Sequence, residues 1–259
     1  MIRFRYVYPN STTKRVKSIK IILILLFTLC FVDVDAQTYN KREHTKNLPK
    51  FEKRFMHFGF LLGYNIANFV VKRDQIDLTS NDSLMILEPK TAPGFNLGII
   101  SELHLGDYFG LRFTPNLAFS SRSLIYTFET MKGVETYQKD IESTLINFPL
   151  NIKYKSARYN NFSAYIIGGA AYTLDLASNA DADNFSTKLS DIIVKLKRDD
   201  IVGQIGFGTD FYLQYFKFGI ELKMSYGLFN LLEDDGTALS TPIGQLRSKM
   251  FLLSFTFEG

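Results

Sequence analysis

The sequence predicts an all-β fold, an eight-stranded antiparallel up-and-down transmembrane β-barrel with a cleaved N-terminal signal peptide. Three observations lead to this prediction. Large apolar side chains alternate with small or polar ones in seven of eight successive segments, and a period of two is typical of a strand with two different faces. The connections between these segments are alternately long and short. The first 36 residues have the composition of an export signal.

The start of the chain carries the pattern of a secretory signal peptide. A basic stretch from Lys14 to Lys20 precedes an apolar run from Ile21 to Val32, and Ala36 ends a small-residue cleavage site. We therefore expect residues 1–36 to be removed by cleavage before Gln37. The apolar run is shorter than the roughly 20 residues that a helix needs to span a bilayer, so a retained anchor is the less favoured alternative.

The composition narrows the possible partners and cofactors. Without residues 1–36 the chain has 24 basic and 24 acidic residues, and this formal neutrality gives no basis for nucleic-acid binding. The single cysteine, Cys30, lies inside the apolar run. The predicted mature protein therefore has no disulfide and no thiolate metal site. Lipoprotein processing at Cys30 is a rival interpretation, but the bulky Leu29 before it fits that processing badly.

Residues 37–54 are polar and charged, contain Pro49 and show little periodicity, so we expect a flexible periplasmic leader there. The barrel is expected to occupy residues 55–259. In its first strand one face is bulky and apolar, and the apolar side chains are Phe58, Phe60, Leu62, Tyr64 and Ile66. The same division recurs in segments 94–105, 111–120, 146–154, 204–213, 216–226 and 251–257. Segment 162–175 is rich in Gly and Ala, which leaves its two faces unassigned.

The connections indicate the architecture better than any one strand. Those after the second, fourth and sixth strands are short, at 105–108, 156–160 and 214–215, whereas the intervening loops, 74–93, 125–140, 176–200 and 231–245, are long. Outer-membrane barrels have short periplasmic turns and longer extracellular loops. Both termini are then periplasmic. Apolar residues in the loops, such as those at 192–197, indicate either partner surfaces or strands that extend above the membrane.

A soluble barrel with the phenylalanines inside and the charges outside would show the same alternation. The export signal, the aromatic residue near the end of the last strand and the tyrosines near strand ends favour a membrane barrel instead. We therefore predict an outer-membrane location, with outer-membrane lipid as the partner of the apolar face.

An eight-stranded barrel has an interior filled by side chains, and the predicted inward face carries charges of both signs. We expect a lumenal polar network formed by Glu102, Arg112, Lys153, Asp210, Glu221 and Lys223, with Lys217 nearer the rim. Unpaired charge in a dehydrated lumen is costly, so a paired polar plug is the favoured interpretation. A proton or ion path is the alternative.

No catalytic, cofactor-binding or metal-binding residues are predicted. His57 and His104 both face inward near the periplasmic end, and Glu102 lies two residues from His104 on the same face. A metal site or an acid–base pair is the less favoured interpretation, because three ligands from three strands would be needed and the pattern shows none converging. The sequence also lacks a G-x-S-x-G motif, a His–Glu zinc motif and a phosphate-binding loop. We predict that the protein is not an enzyme; a lipid-acting outer-membrane enzyme is the least favoured alternative.

Several short segments resemble one family of barrels. They are Asn47-Leu48-Pro49-Lys50-Phe51, His57-Phe58-Gly59-Phe60, Leu62-Gly63-Tyr64-Asn65 and Phe148-Pro149-Leu150-Asn151-Ile152-Lys153-Tyr154. Together they resemble the PorT family of Bacteroidetes outer-membrane barrels over the whole mature chain. The resemblance implies a component or assembly factor of the type IX secretion system, which exports cargo proteins and supports gliding in some relatives. The partners of such a protein would be other secretion-system proteins. The resemblance implies no catalytic residues. The alternative is a generic surface barrel that binds a ligand or partner through its loops.

Overall fold

The computed structural model describes residues 46–73, 83–130, 133–178, 192–237 and 239–259. The predicted signal peptide and the first part of the leader lie outside them. A short 3₁₀ helix, Phe51–Lys53, precedes nine strands: β1 Met56–Arg73, β2 Ser83–His104, β3 Phe109–Phe113, β4 Asn116–Thr130, β5 Gly133–Lys155, β6 Phe162–Asp175, β7 Asp199–Tyr212, β8 Lys217–Gly227 and β9 Ile243–Glu258. In the described part of the chain, no helix has the length and hydrophobicity needed to cross a bilayer.

The strands form one closed antiparallel ring. Strands that are neighbours in the chain pair with each other, except β3 and β4, and β1 pairs with β9 as well as with β2. The short β3 and the longer β4 share a single position between β2 and β5, so the ring has eight positions around its axis. This confirms the predicted all-β, up-and-down barrel.

The predicted third strand is two strands, because the chain breaks at Thr114-Pro115. There the Pro115 carbonyl accepts a hydrogen bond of 3.0 Å from the Ile99 amide, and the Thr114 amide donates one of 3.3 Å to the Pro149 carbonyl. Pro149 has no amide hydrogen and therefore cannot donate a hydrogen bond to the neighbouring strand. Its register with β6 is continuous, so the ladder irregularity expected at this proline lies on the side of β3 and β4.

The two faces of the barrel differ as the alternation predicts. Outward-facing apolar side chains such as Phe58, Ile99 and Ile205 are 60%, 64% and 65% exposed, whereas the polar side chains of His57 and Asn65 are 1% and 0% exposed. A barrel with an apolar outer band and a polar interior is built for lipid. The soluble-barrel alternative, which puts the phenylalanines inside, is wrong.

The two ends of the barrel differ in their connections, and we call them the turn end and the loop end. The turn end holds the start of β1, the end of β9 and the three short turns at 105–108, 156–161 and 213–216. Each turn presents an exposed tyrosine, Tyr108, Tyr159 or Tyr215. Exposed aromatic side chains at this level form the girdle that outer-membrane barrels place at the membrane interface.

At the loop end, the expected loop 125–140 is instead a long hairpin. β4 and β5 stay paired from Asn116 opposite Asn147 to Thr130 opposite Gly133. Its outer face carries polar residues, including the facing pair Thr127 and Thr136, so it lacks the apolar alternation of a lipid-facing strand. That polar face is why the sequence pattern suggested a loop.

Apolar loop segments cover the loop end in a structure that we call the loop-end core. It contains Phe69, Leu87, Leu124, Tyr126, Phe128, Ile192, Val194, Leu196, Leu231, Leu232, Leu239, Ile243 and Leu246. The Tyr126 hydroxyl donates a 3.1 Å hydrogen bond to the Leu239 carbonyl. In the segment 192–197, which could have extended a strand, the described backbone forms a single bridge, between Leu196 and Leu232, and alternate side chains are buried over the barrel.

Candidate functional site in the barrel interior

The most concentrated chemistry in the described structure is a group of buried charges near the turn end, which we call the lumenal charge cluster. It comprises Glu102, Arg112, Lys153, Asp210, Lys217, Glu221, Lys223 and Glu258, all of them buried. Strand register brings them together, since Glu102 lies directly opposite Arg112 and Lys217 directly opposite Glu258. Side chains at such facing positions of one sheet face are close enough to interact.

Arg112 is the centre of the cluster. Its guanidinium group makes an ion pair with Glu102, a second with Glu221 at 3.1 Å and a third with Glu258 at 2.7 Å. The planar guanidinium presents five donors in a fixed geometry, which lets one side chain bridge three carboxylates from three strands.

The three lysines complete the charge balance. Lys153 Nζ lies 2.8 Å from Asp210 and 3.4 Å from Glu102. Lys217 Nζ lies 2.8 Å from Glu258 and 3.6 Å from Asp210, and Lys223 Nζ lies 2.7 Å from Glu221. All four cations of the cluster therefore contact carboxylates, and its formal charges cancel.

Tyr165 fills the space beside these charges. Its hydroxyl donates a 2.9 Å hydrogen bond to Glu221, and Lys153 Nζ lies 3.9 Å from its ring centroid. A Cβ atom at Gly208 would lie 2.5 Å from the Tyr165 ring, so only glycine at position 208 leaves room for this tyrosine. The lumen at this level is packed with side chains, as expected for eight strands.

The structure places all six residues of the predicted lumenal network in this cluster and adds two more. Lys217, expected nearer the rim, is buried and bridges Asp210 and Glu258. Glu258 was missed because the inward face of the last strand was not assigned. The signal was present in the sequence, since Ser254 and Thr256 precede it at alternate positions and are buried.

The two barrel histidines lie together at the turn end. The rings of His57 and His104 are 4.7 Å apart and nearly perpendicular, and His57 stacks on Phe51 at 3.8 Å. Neither nitrogen of His57 has a hydrogen-bond partner in the described structure. No group of three or more His, Cys, Asp or Glu side chains is placed to hold a metal ion within the described ranges.

Residues 46–54 pack into the turn end of the barrel, and we call them the turn-end plug. Phe51 is buried against His57. The Asn47 backbone amide donates a 2.9 Å hydrogen bond to Asn161 Oδ1, and the Asn47 carbonyl accepts one from the Arg158 guanidinium. The Asn47 side-chain amide donates a 3.0 Å hydrogen bond to the Tyr212 carbonyl. The leader was expected to be flexible through Arg54, and the structure differs from that expectation here because these polar and aromatic contacts hold it.

Glu52 links the plug to the barrel rim electrostatically. Its carboxylate lies 3.2 Å from Lys155 Nζ and accepts a 3.2 Å hydrogen bond from the Tyr212 hydroxyl. Partial burial raises the pKa of Glu52, but the Lys155 ammonium and the Tyr212 hydroxyl outweigh it, and the pKa is held below the ordinary value of a glutamate. The plug is therefore docked by an ionised carboxylate.

A small cavity separates the charge cluster from the loop-end core. Its volume is about 40 Å³, and its lining extends from Lys223 to Arg122, which is enough space for no more than a few water molecules. Asn116 Oδ1 accepts hydrogen bonds from Asn147 and Asn96 at 2.9 and 3.3 Å on its wall. The described interior is thus filled at three levels, by the plug, the charge cluster and the loop-end core.

Comparison with solved structures finds several outer-membrane proteins. OprG of Pseudomonas aeruginosa is 14% identical, with a TM-score of 0.43 over 78% of this chain and 95% of that one. Neisserial surface protein A is 11% identical, with a TM-score of 0.37 over 76% and 95%. Ail, the attachment invasion locus protein of Yersinia pestis, is 14% identical, with a TM-score of 0.34 over 80% and 100%.

No curated protein matches the chain. A protein-family model described as the outer membrane protein beta-barrel domain matches residues 36–233. That match covers most of the chain, and the apolar outer band, the polar interior and the alternating connections described above fit it. The chain therefore belongs to the outer membrane protein beta-barrel domain family and is an outer-membrane protein.

Proposed function

We propose that this protein acts through contact with other proteins and neither conducts solutes nor catalyses a reaction. The observation that carries the proposal is the filled lumen. Four buried cations contact four buried carboxylates, and side chains of the turn-end plug and of the loop-end core occupy the two ends. In such a barrel the rim, the loops and the leader are the parts that can contact other proteins.

We further propose that the contacts serve the type IX protein secretion system, in which the protein would be a component or an assembly factor. The support is the resemblance to the PorT family. Asn47 and Phe51, which begin and end the leader segment of that resemblance, are two of the residues that hold the plug against the barrel. The plug lies at the turn end, which is the periplasmic end of such barrels, and a periplasmic partner would contact it there.

The pathway is tested by cargo export. The gene is deleted from its Bacteroidetes host, the wild-type chain is returned on a plasmid, and secreted cargo is quantified beside the levels of unrelated outer-membrane proteins. We expect export to be lost in the deletion strain and restored by the plasmid, with the other membrane proteins unchanged. Normal export in the deletion strain would contradict the secretion role and leave the barrel itself intact.

The role of the plug is tested by two matched variants in the same strain. The double substitution Asn47→Ala and Phe51→Ala removes the side-chain hydrogen bond to Tyr212 and the stack on His57, whereas Lys50→Ala with Lys53→Ala changes two exposed side chains of the same segment. We expect the first variant to reduce export while the barrel still inserts, and the second to leave export unchanged. Full export with the first variant would show that the leader is only a spacer.

A further inference from the structure

One group of charges lies on the lipid-facing side of the barrel. Lys249 is on the same face of β9 as the exposed Phe251, since its Nζ lies 5.1 Å from that ring centroid. Arg247 is two residues further along the same face, and Lys72 of β1 pairs with Gln245 beside it. We call Lys72, Arg247 and Lys249 the basic stripe.

The stripe begins where the apolar band ends. On β1 the exposed apolar side chains run from Phe58 to Ile66, and the next outward position, Asn68, pairs with Lys249. The ten residue-to-residue steps from Phe58 to Asn68 rise about 25 Å along the axis of a barrel with strands tilted by about 40°. That height equals the thickness of the apolar band of outer-membrane barrels, so Lys249 lies at the headgroup level of the outer leaflet.

The cations of the stripe differ from those of the lumen in their partners. Every cation of the lumenal charge cluster lies within 3.1 Å of a carboxylate oxygen. Among the described residues, none of the three stripe cations has a carboxylate within 4.0 Å. Arg247 Nε is buried and has no acceptor in the same part of the structure. Among the described residues the three cations thus lack an acidic partner at the edge of the apolar band, where an anion from the membrane can neutralise them.

We propose that the basic stripe binds the phosphate-bearing headgroup of an outer-leaflet lipid. Arginine and lysine are the side chains that proteins use for phosphate, the first through its planar fork and the second as a point charge. Apolar side chains lie beside the stripe, with Leu228 and Phe251 each 50% exposed, and they can contact the acyl chains of the same molecule. This site is independent of the secretion role proposed above.

The site is tested on the full mature chain in detergent micelles by native mass spectrometry. The probe is lipid A with two phosphates, titrated against the wild-type chain and the variant Lys72→Gln, Arg247→Gln, Lys249→Gln. Each basic residue near a membrane surface contributes about 1 kcal/mol, so we expect the three changes to weaken lipid binding by more than about tenfold. The control Lys90→Gln, Lys197→Gln, Arg198→Gln removes the same charge from exposed residues elsewhere at the loop end, and it should bind as the wild type does.

Two results would overturn the proposal. One is equal lipid affinity in the stripe variant and the wild type, with both shown to be folded by their heat-modifiable migration in gels. The other is displacement of the lipid by millimolar inorganic phosphate, which would show a site for the free ion. Retention of the lipid in excess phosphate supports a site that binds the headgroup and the acyl chains of the same lipid molecule.

Discussion

At the scale of single residues, the interior depends most on Arg112, which joins carboxylates from β2, β8 and β9. The inward positions of five strands predict six members of the cluster from sequence, because polar residues recur there at every second position. The sequence does not show which of these charged side chains form ion pairs, because the pairing depends on strand register. Glu258 lies opposite both Gly59 and Lys217, and these three positions are far apart in the chain.

The first prediction concerns Arg112. Arg112→Met keeps most of the side-chain volume but leaves Glu102, Glu221 and Glu258 short of a cation, and removing one partner from a buried ion group costs about 3–5 kcal/mol. We expect urea unfolding of the refolded barrel, followed by gel migration, to show a loss of that size. Arg198→Met, at an exposed position, should change the unfolding free energy by less than about 0.5 kcal/mol. Equal effects of the two substitutions would contradict the structural role of the cluster.

The second prediction concerns Glu52 and the pH at which the plug undocks. Because docking lowers the pKa of Glu52, its contribution is fully present above the pKa of a free glutamate, about 4.3, and is lost as the pH falls through the lower pKa of the docked state. The chain has no tryptophan, so Phe51→Trp gives a single reporter of burial. Its emission should shift to the red on acidification through this range.

The control for this titration is the same reporter with Glu52→Gln, which removes the carboxylate and keeps a polar side chain beside Lys155 and Tyr212. We expect the step assigned to Glu52 to be absent from its curve. Superimposable titrations of the two chains would show that Glu52 does not hold the plug.

At the scale of strands and loops, the sequence predicts best where one face meets lipid. β6 is the exception, because its Gly and Ala residues hide the pattern; the structure buries Tyr165 and Ile167 and exposes Ile166 and Tyr172. The long β4–β5 hairpin and the loop-end core were not predicted, since strands above the membrane have polar outer faces. The core that contains Leu124 also includes residues of loops distant in sequence, such as Ile192 and Leu239.

The third prediction compares two glycines of β7. A Cβ atom at Gly208 would lie 2.5 Å from the Tyr165 ring, whereas at Gly203 the nearest atom, Leu228 Cδ2, is 3.9 Å away. Gly208→Ala must displace Tyr165 and weaken its bond to Glu221, and overpacking of this kind costs about 1–3 kcal/mol. Gly203→Ala should be close to neutral. Equal unfolding midpoints for the two variants would contradict the packing described for Tyr165.

At the scale of the whole molecule, the family match and the outward apolar band establish an outer-membrane barrel. Its location and fold class were predicted from sequence and are confirmed. The filling of both ends was not predicted, because it requires the plug and the distant loops to meet the barrel in three dimensions. The described interior of the barrel is therefore packed with paired charges and apolar side chains. A pore would instead need a continuous water-filled channel.

Single-channel recording decides whether this barrel works by contact or by conduction. The purified mature chain is inserted into a planar lipid bilayer, with insertion verified by protease protection and a general porin as the positive control. We expect no stable conductance steps from the wild-type chain at moderate voltage. Reproducible open channels that scale with the number of inserted molecules would contradict the filled lumen and, with it, the proposed mode of action.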